Sequence, residues 1–398
     1  MTERMPLEGA VVLDVSQVMA GPFCTLLLAD MGADVIKVEK PQGGDDSRAM
    51  GPPFIHGESA AFLAINRNKR SMVLILKSEE GREVFRRLAR RSDILVENFR
   101  PGTMENLDLH YEAIQKINPT IIYCSISGFG QTGPYRSRGG FDLIAQGMSG
   151  LMSVTGHAGS PPTKVGVPIS DLNAGLYGAY GILAAYVHRL KTGEGQHVDT
   201  SLLEGAVAYT FWESSIYFAT GEIPPPKGSA HRLNAPYQVF ETKDGAISIG
   251  GANQSTWEKL CGVLGRQDLA QDPRFLTNAD RVRNSRELSA VLHPVFLQRE
   301  MGEWLALLEA AGVPAGPIYN IAQVYEDPHI RDREMLVELD HPTAGKVKNI
   351  GIPVKLSLTP GQIRRPGPLL GEHTDDVLLW LGLDRSEIAH LRDLGTIA

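Results

Sequence analysis

Five short runs rich in Val, Ile and Leu constrain this chain most: Val11–Ser16, Asp34–Glu39, Ser71–Leu76, Asp93–Phe99 and Thr120–Ser127, each closed by polar or turn residues. Continuous apolar runs of this length read as strands buried on both faces. Helical patterns at Pro22–Met31 and Glu79–Arg91 lie between them, and strand-helix-strand units of this kind close as a mostly parallel sheet with right-handed crossovers. The expected fold class is therefore α/β, an open Rossmann-like sheet. Such sheets bind ligands beyond the carboxyl ends of their strands, which is where chemistry-bearing residues should be sought.

A chain of 398 residues is long enough for more than one domain, at roughly 150 residues each. Glu222-Ile223-Pro224-Pro225-Pro226-Lys227, between Gly221 and Gly228, reads as a stiff extended linker. Beyond it, Tyr237–Thr242 and Ala246–Gly250 flank the turn Lys243-Asp244-Gly245, and helical patterns follow at Gln254–Leu264 and Ser285–Gly312. The expected organisation is a large α/β domain at 1–220, a smaller α+β domain at 221–326, and a C-terminal segment at 327–398 that returns to the large domain.

Several function classes are excluded early. A formal net charge of −7 gives no global basic field for nucleic acid, and no apolar stretch reaches the roughly 18 residues of a membrane span. Met1–Ala10 lacks the pattern of a secretory signal, so a cytoplasmic enzyme is expected. Cys24, Cys124 and Cys261 form no Cys-x-x-Cys pair and read as buried thiols. The eleven histidines show no metal-ligand spacing, so no metal is expected. His157, His197 and His231 stand near glycines, as catalytic candidates or as hydrogen-bonded structural residues.

Gly128-Phe129-Gly130-Gln131-Thr132-Gly133 matches the dinucleotide fingerprint, which raises an NAD-dependent oxidoreductase as one reading. The context fails, because Pro134 and a polar loop follow where a helix should open. Basic residues recur at strand ends, namely Lys37 and Lys40, Lys77, Arg100, Arg136 and Arg138, a distribution suited to one phosphate-bearing ligand. Asp171 follows an extended Pro-containing segment and opens an Ala/Gly-rich helix expected over 172–190. Such an Asp is either a helix cap or a nucleophile, and the positive end of the helix dipole should keep it ionised at neutral pH.

Eight ordered segments resemble the class III CoA-transferase family. They are Leu13–Ser16 with Ala20-Gly21-Pro22, Gly32–Glu39, Asn66–Ser71, Val96–Gly102, Gly195–Asp199, Ala235-Pro236-Tyr237, Gly312–Pro317 and Leu370–Thr374. The resemblance spans essentially the whole chain and implies that Asp171 is the nucleophile. It implies CoA contacts from Met19, Ala20, Lys40, Leu74 to Lys77, and Asn98, Phe99 and Arg100, with CoA a substrate and no permanently bound cofactor. It further implies a homodimer of two interlocked ring-like protomers. Asn106 and Met19 depart from the formyl-CoA:oxalate members, and the segments near Asp45–Arg48 and Ile122–Pro134 look most like enzymes that use succinyl-CoA and a dicarboxylate such as glutarate. The related α-methylacyl-CoA racemases resemble Gly-His-Asp where this chain has Gly140-Phe141-Asp142. Phe141 cannot relay a proton, so racemisation loses one acid/base partner.

A carboxylate nucleophile suits acyl exchange because its adduct is an anhydride that a thiolate can reopen. The reacting carbonyl then needs donors, for which Gln17, the amide near Ala20, and Gly250 with Gly251 are the candidates. A second substrate carboxylate needs a cation or hydrogen-bond donor, with Arg48, His231 and Arg232 as candidates and Phe141 at the substrate.

Overall fold

The structure is a computed structural model that describes residues 5–251 and 253–398. The chain divides into two compact units. The first comprises 1–152, 164–218 and 328–398, and the second 153–163 and 219–327.

The first unit is built on six parallel strands: β1 (Val11–Asp14), β2 (Asp34–Glu39), β3 (Lys69–Val73), β4 (Ile94–Glu97), β5 (Ile122–Ser127) and β6 (His197–Ser201). Their order is β3-β2-β1-β4-β5-β6. This is a doubly wound sheet in which strand order reverses between β1 and β4, and the crevice at that reversal is the standard ligand position. The five apolar runs supply β1 to β5. The sequence reading did not anticipate β6, because His197-Val198-Asp199-Thr200-Ser201 is polar and only partly buried at the sheet edge.

Helices cover both faces. On one lie α1 (Ala20–Asp30) and α4 (Ile169–Thr192), and on the other α2 (Glu79–Arg91) and α3 (Tyr111–Ile117). Helix α2 starts at Ser78, whose Oγ accepts from the Gly81 N–H, and buries Val84, Phe85, Leu88 and Ala89. Helix α4 buries small residues against α1. A Cβ on Gly175 would lie 2.5 Å from the Ala20 carbonyl oxygen, so only glycine permits that approach. The C-terminal helices, Thr374–Trp380 and Arg385–Asp393, add Val377, Leu378, Ile388 and Leu391 to the core over α2.

The second unit carries an antiparallel sheet of Tyr237–Glu241, Ala246–Gly250 and Ala315–Pro317. Its core is Phe240, Trp257, Phe275, Phe296 and Trp304. The single helical pattern expected over Ser285–Gly312 is two helices, Ser285–Phe296 and Met301–Ala310. Among the described residues no helix is long and apolar enough to cross a membrane.

Candidate active site

At the reversal point, β1 runs into the turn Val15–Met19 before α1 begins. Side chains from four other positions pin this turn. Asp14 Oδ1 accepts the Ser16 N–H, and Lys37 Nζ donates to the Ser16 carbonyl at 2.9 Å. Asn98, just past β4, closes a reciprocal pair with the Gln17 peptide: its Oδ1 accepts the Gln17 N–H and its Nδ2 donates to the Gln17 carbonyl, both at 2.8 Å. Asp45 Oδ1 accepts the Val18 N–H. Val18 is held at φ +67°, a left-handed conformation that costs an L residue about 1–2 kcal/mol and is exceptional for a β-branched side chain. Met19 then occupies the cap of α1 without a side-chain oxygen to offer. The first-turn amides of Ala20 and Gly21 have no intrahelical acceptor. The Gln17 side-chain amide has no hydrogen-bond partner among the described residues.

Below this turn lies a buried ionic network. Asp14, Lys37 and Lys69 are completely buried, with Lys37 paired to Asp45 at 2.7 Å and Lys69 to Asp14 at 3.1 Å. Burial opposes the charge on Lys37, but Asp14, Asp45 and Glu39 outweigh it and raise its pKa. Burial likewise opposes ionised Asp14 and Asp45; Lys69 and Lys37 beside Asp14, and Lys37 beside Asp45, hold both carboxyls below the usual range. Lys69 is itself brought down to about 8 by burial. Lys37, expected among the strand-end cations for a ligand, is therefore an internal brace. Arg48 is also committed, its guanidinium bound through Nε and Nη2 to Glu39 at 2.7 Å each and to the Pro368 carbonyl. It is not free for a substrate carboxylate.

Asp171 is the third residue of α4, inside its first turn and not at its cap, which is Pro168. The carboxylate that caps this helix comes from elsewhere. Asp142, the first residue of the short helix Asp142–Met148, accepts the Ser170 N–H through Oδ1 at 2.9 Å and the Gln146 Nε2–H through Oδ2 at 2.7 Å. The expectation that Asp171 is fully ionised at neutral pH is corrected here. Burial, and then the negative charge of Asp142, push its carboxyl up to about 7. Among the described residues Asp171 has no ion-pair partner and accepts no side-chain hydrogen bond. A second raised carboxyl is Glu97, at the end of β4, which burial drives up to about 7 although Ser125 and the Phe99 N–H bond to it. Sequence reading missed both Asp142 and Glu97. An acidic residue closing an apolar strand run was the available signal for Glu97.

The other candidates fall into three groups. Lys77, Arg100 and Arg136 are exposed in the first unit without ion-pair partners among the described residues, and Arg138 is exposed with its guanidinium over the Tyr135 ring. Arg100 lies against Gly139, at 3.0 Å from where a Cβ there would be. Phe141 is 72% exposed, and Phe99 is half-buried. A second group is already engaged: Lys40 pairs with Asp46, Leu74 is buried with its N–H on the Glu39 carbonyl, and Asn98 serves Gln17. His197 stacks on Tyr111 and shares a hydrogen bond with Ser125. The third group lies in the second unit. There His231 stacks on Tyr237 and accepts the Leu233 N–H, Arg232 donates to the Pro225 and Val154 carbonyls, and His157 packs against Gly228. Gly250 ends its strand, and Gly251 is buried where a Cβ would meet Pro236 at 3.2 Å. The glycine run 128–133 opens no helix, and a Cβ on Gly128 would strike the backbone of Gly140, so it is a packed loop and not a dinucleotide turn.

A doubly wound sheet with a pinned, donor-rich turn at its reversal point and an unpaired carboxylate at a helix start defines a protein equipped for group transfer on an anionic ligand. The model of CoA-transferase family III matches residues 7–374, and the chain belongs to that family and is a CoA-transferase. It is 41% identical over 378 residues to the human succinyl-CoA:glutarate CoA-transferase, covering 95% of this chain and 86% of that protein. It is 43% identical to the succinyl-CoA:mesaconate CoA-transferase of Haloarcula marismortui, covering 95% and 97% of the two chains. Among solved structures, a CAIB/BAIF family protein from Brucella suis is 40% identical with a TM-score of 0.85, covering 95% of this chain and all of that one.

Proposed function

We propose that this enzyme moves CoA reversibly from succinyl-CoA to a small dicarboxylate of the glutarate type, with Asp171 as the covalent carrier. The observation that carries the reading is the environment of Asp171: a partly buried carboxylate with no cation and no hydrogen-bond donor among the described residues, raised to about 7. A carboxylate left unpaired in this way is costly to keep and reactive once ionised. The human and Haloarcula relatives, both named for succinyl-CoA and a dicarboxylate, support the substrate class.

The ionised Asp171 attacks the thioester carbonyl, the C–S bond breaks, and CoA leaves as thiolate, giving an aspartyl-acyl anhydride. The thiolate then attacks the Asp171 carbonyl carbon, releasing the donor acid and leaving an aspartyl-CoA thioester. The acceptor carboxylate displaces the thiolate to form a second anhydride. Thiolate attack on the acceptor carbon yields the new acyl-CoA and restores Asp171. Gln17 and the amide of Ala20 donate to the developing oxyanion. Met19, Lys77, Phe99, Arg100, Arg136 and Arg138 contact CoA, the cations holding its phosphates.

The enzyme acts as a homodimer in this reading. Leu176, Tyr180, Leu183, Val187 and Leu190 recur at helical spacing along α4 and are all exposed, Tyr180 and Leu190 by 70% each. An apolar stripe of that length is a covered surface in an assembled protein. A Tyr180→Glu variant should sediment as a monomer.

Incubation with succinyl, glutaryl, malonyl, oxalyl, formyl and acetyl thioesters and free acids, followed by mass spectrometry, tests the function. Exchange with dicarboxylates and a hydroxylamine-sensitive adduct on Asp171 are expected. No exchange across the panel overturns the acyl-transfer mechanism, and exchange confined to monocarboxylates overturns the substrate class.

A further inference from the structure

The turn after β1 is held in a conformation its own sequence disfavours. Val18 sits at φ +67°, where its branched Cβ crowds the backbone, and nothing local compels it. The compulsion comes from outside. Gln17, on its N-terminal side, is gripped through both its N–H and its C=O by Asn98, and the Val18 N–H is fixed to Asp45, which Lys37 holds in turn. On the C-terminal side Gly21 is packed so tightly on Ser16 that a Cβ would fall 2.2 Å from the Ser16 Cβ. A strained residue fixed on three sides in the crevice of a doubly wound sheet is a geometry maintained for what it presents.

We infer that Asn98 and Asp45 are positioning residues whose shared task is to hold Val18 left-handed, so that the Gln17 side chain and the first amides of α1 point together at the reacting carbonyl. The Asn98 side chain has one donor pair and one acceptor, and it uses both sides of its amide on the Gln17 peptide. Asn98 thus acts through the turn, with one N–H and one lone pair of its amide spent on Gln17. Release of the clasp lets Val18 relax to negative φ, which swings Gln17 and displaces the amides by a distance that matters to the transition state more than to ground-state binding.

This inference rests on the acyl-transfer reading above. Asn98→Ala and Val18→Gly, singly and together, are assayed for succinyl-CoA-dependent transfer beside Asp171→Asn. Asn98→Ala should lower kcat about 10²-fold while KM for the thioester moves less than about threefold, the signature of a lost transition-state interaction. Glycine at position 18 reaches positive φ without steric cost, so the same Asn98→Ala change in the Val18→Gly background should lower kcat less than about tenfold. A general folding role for Asn98 would give equal losses in both backgrounds. Equal or larger loss in the Val18→Gly background, or an unchanged kcat in Asn98→Ala, overturns the inference. If Asn98→Ala does not fold, Asn98→Ser read in the same two backgrounds decides by the same criteria. Transfer that survives in Asp171→Asn defeats the acyl-transfer reading; transfer lost there with no coupling between positions 18 and 98 defeats only the positioning role.

Discussion

Two sets of buried carboxylates lie on the same unit of this protein and behave in opposite ways. Asp14 and Asp45 sit deep beneath the sheet edge, yet their pKa values fall, because Lys37 and Lys69 are buried beside them. Asp171 is less buried, yet its pKa climbs to about 7, because its charged neighbour is Asp142. Burial penalises the charged form in both places, and the sign is decided by the partner. The first set is a brace of paired charges; Asp171 has no paired cation among the described residues.

The contrast breaks most completely at Asp171. Asp171→Asn, as homogeneous and non-deamidated protein, should lose at least about 10³-fold in transfer while keeping its fold, measured by exchange of labelled succinate into succinyl-CoA. On the brace side the loss should appear as stability instead. Lys37→Met leaves Asp14 and Asp45 buried against fewer cations and should cost about 3–5 kcal/mol in denaturant unfolding.

A subtler change sharpens the comparison by altering the partner alone. Only ionised Asp171 attacks, so kcat/KM should be half-maximal near pH 7, approach its full value about one pH unit above that, and decline as pH falls below it. Asp142→Asn keeps an oxygen to accept the Ser170 N–H but removes the negative charge. The pKa of Asp171 then drops, and the acid limb should move down by about one pH unit. A limb that stays in place would show that burial alone sets the pKa.

Much of the fold was legible because buried parallel strands write themselves as unbroken apolar runs. β1 to β5 follow from that rule, whereas β6 does not, since an edge strand is half wet and carries His197, Asp199 and Thr200. The excursion 153–163 into the second unit is rich in Ser, Thr, Gly and Pro, which marks a loop but not the unit it joins. The place of Asp171 in the first turn of a small-residue helix was legible. Arg48 and Lys37 looked equally suited to a ligand, and only their spatial neighbours, Glu39 for one and Asp45 for the other, reveal them as internal. The assignment of Asn98 changed for the same reason, as its partner Gln17 is 81 residues away.

The sequence by itself determined the sheet, the helix that carries Asp171 and the family to which the chain belongs, because apolar periodicity and ordered motifs are properties of neighbours along the chain. Tertiary structure alone decided which cations are spent on internal carboxylates, that Val18 is forced left-handed, and that Asp171 is only partly ionised at neutral pH. Each of those depends on a charge or hydrogen bond between residues that are not chain neighbours, from Lys37 and Asp45, on a strand and the loop that follows it, to Gln17 and Asn98, 81 positions apart, and electrostatic energy follows distance in space.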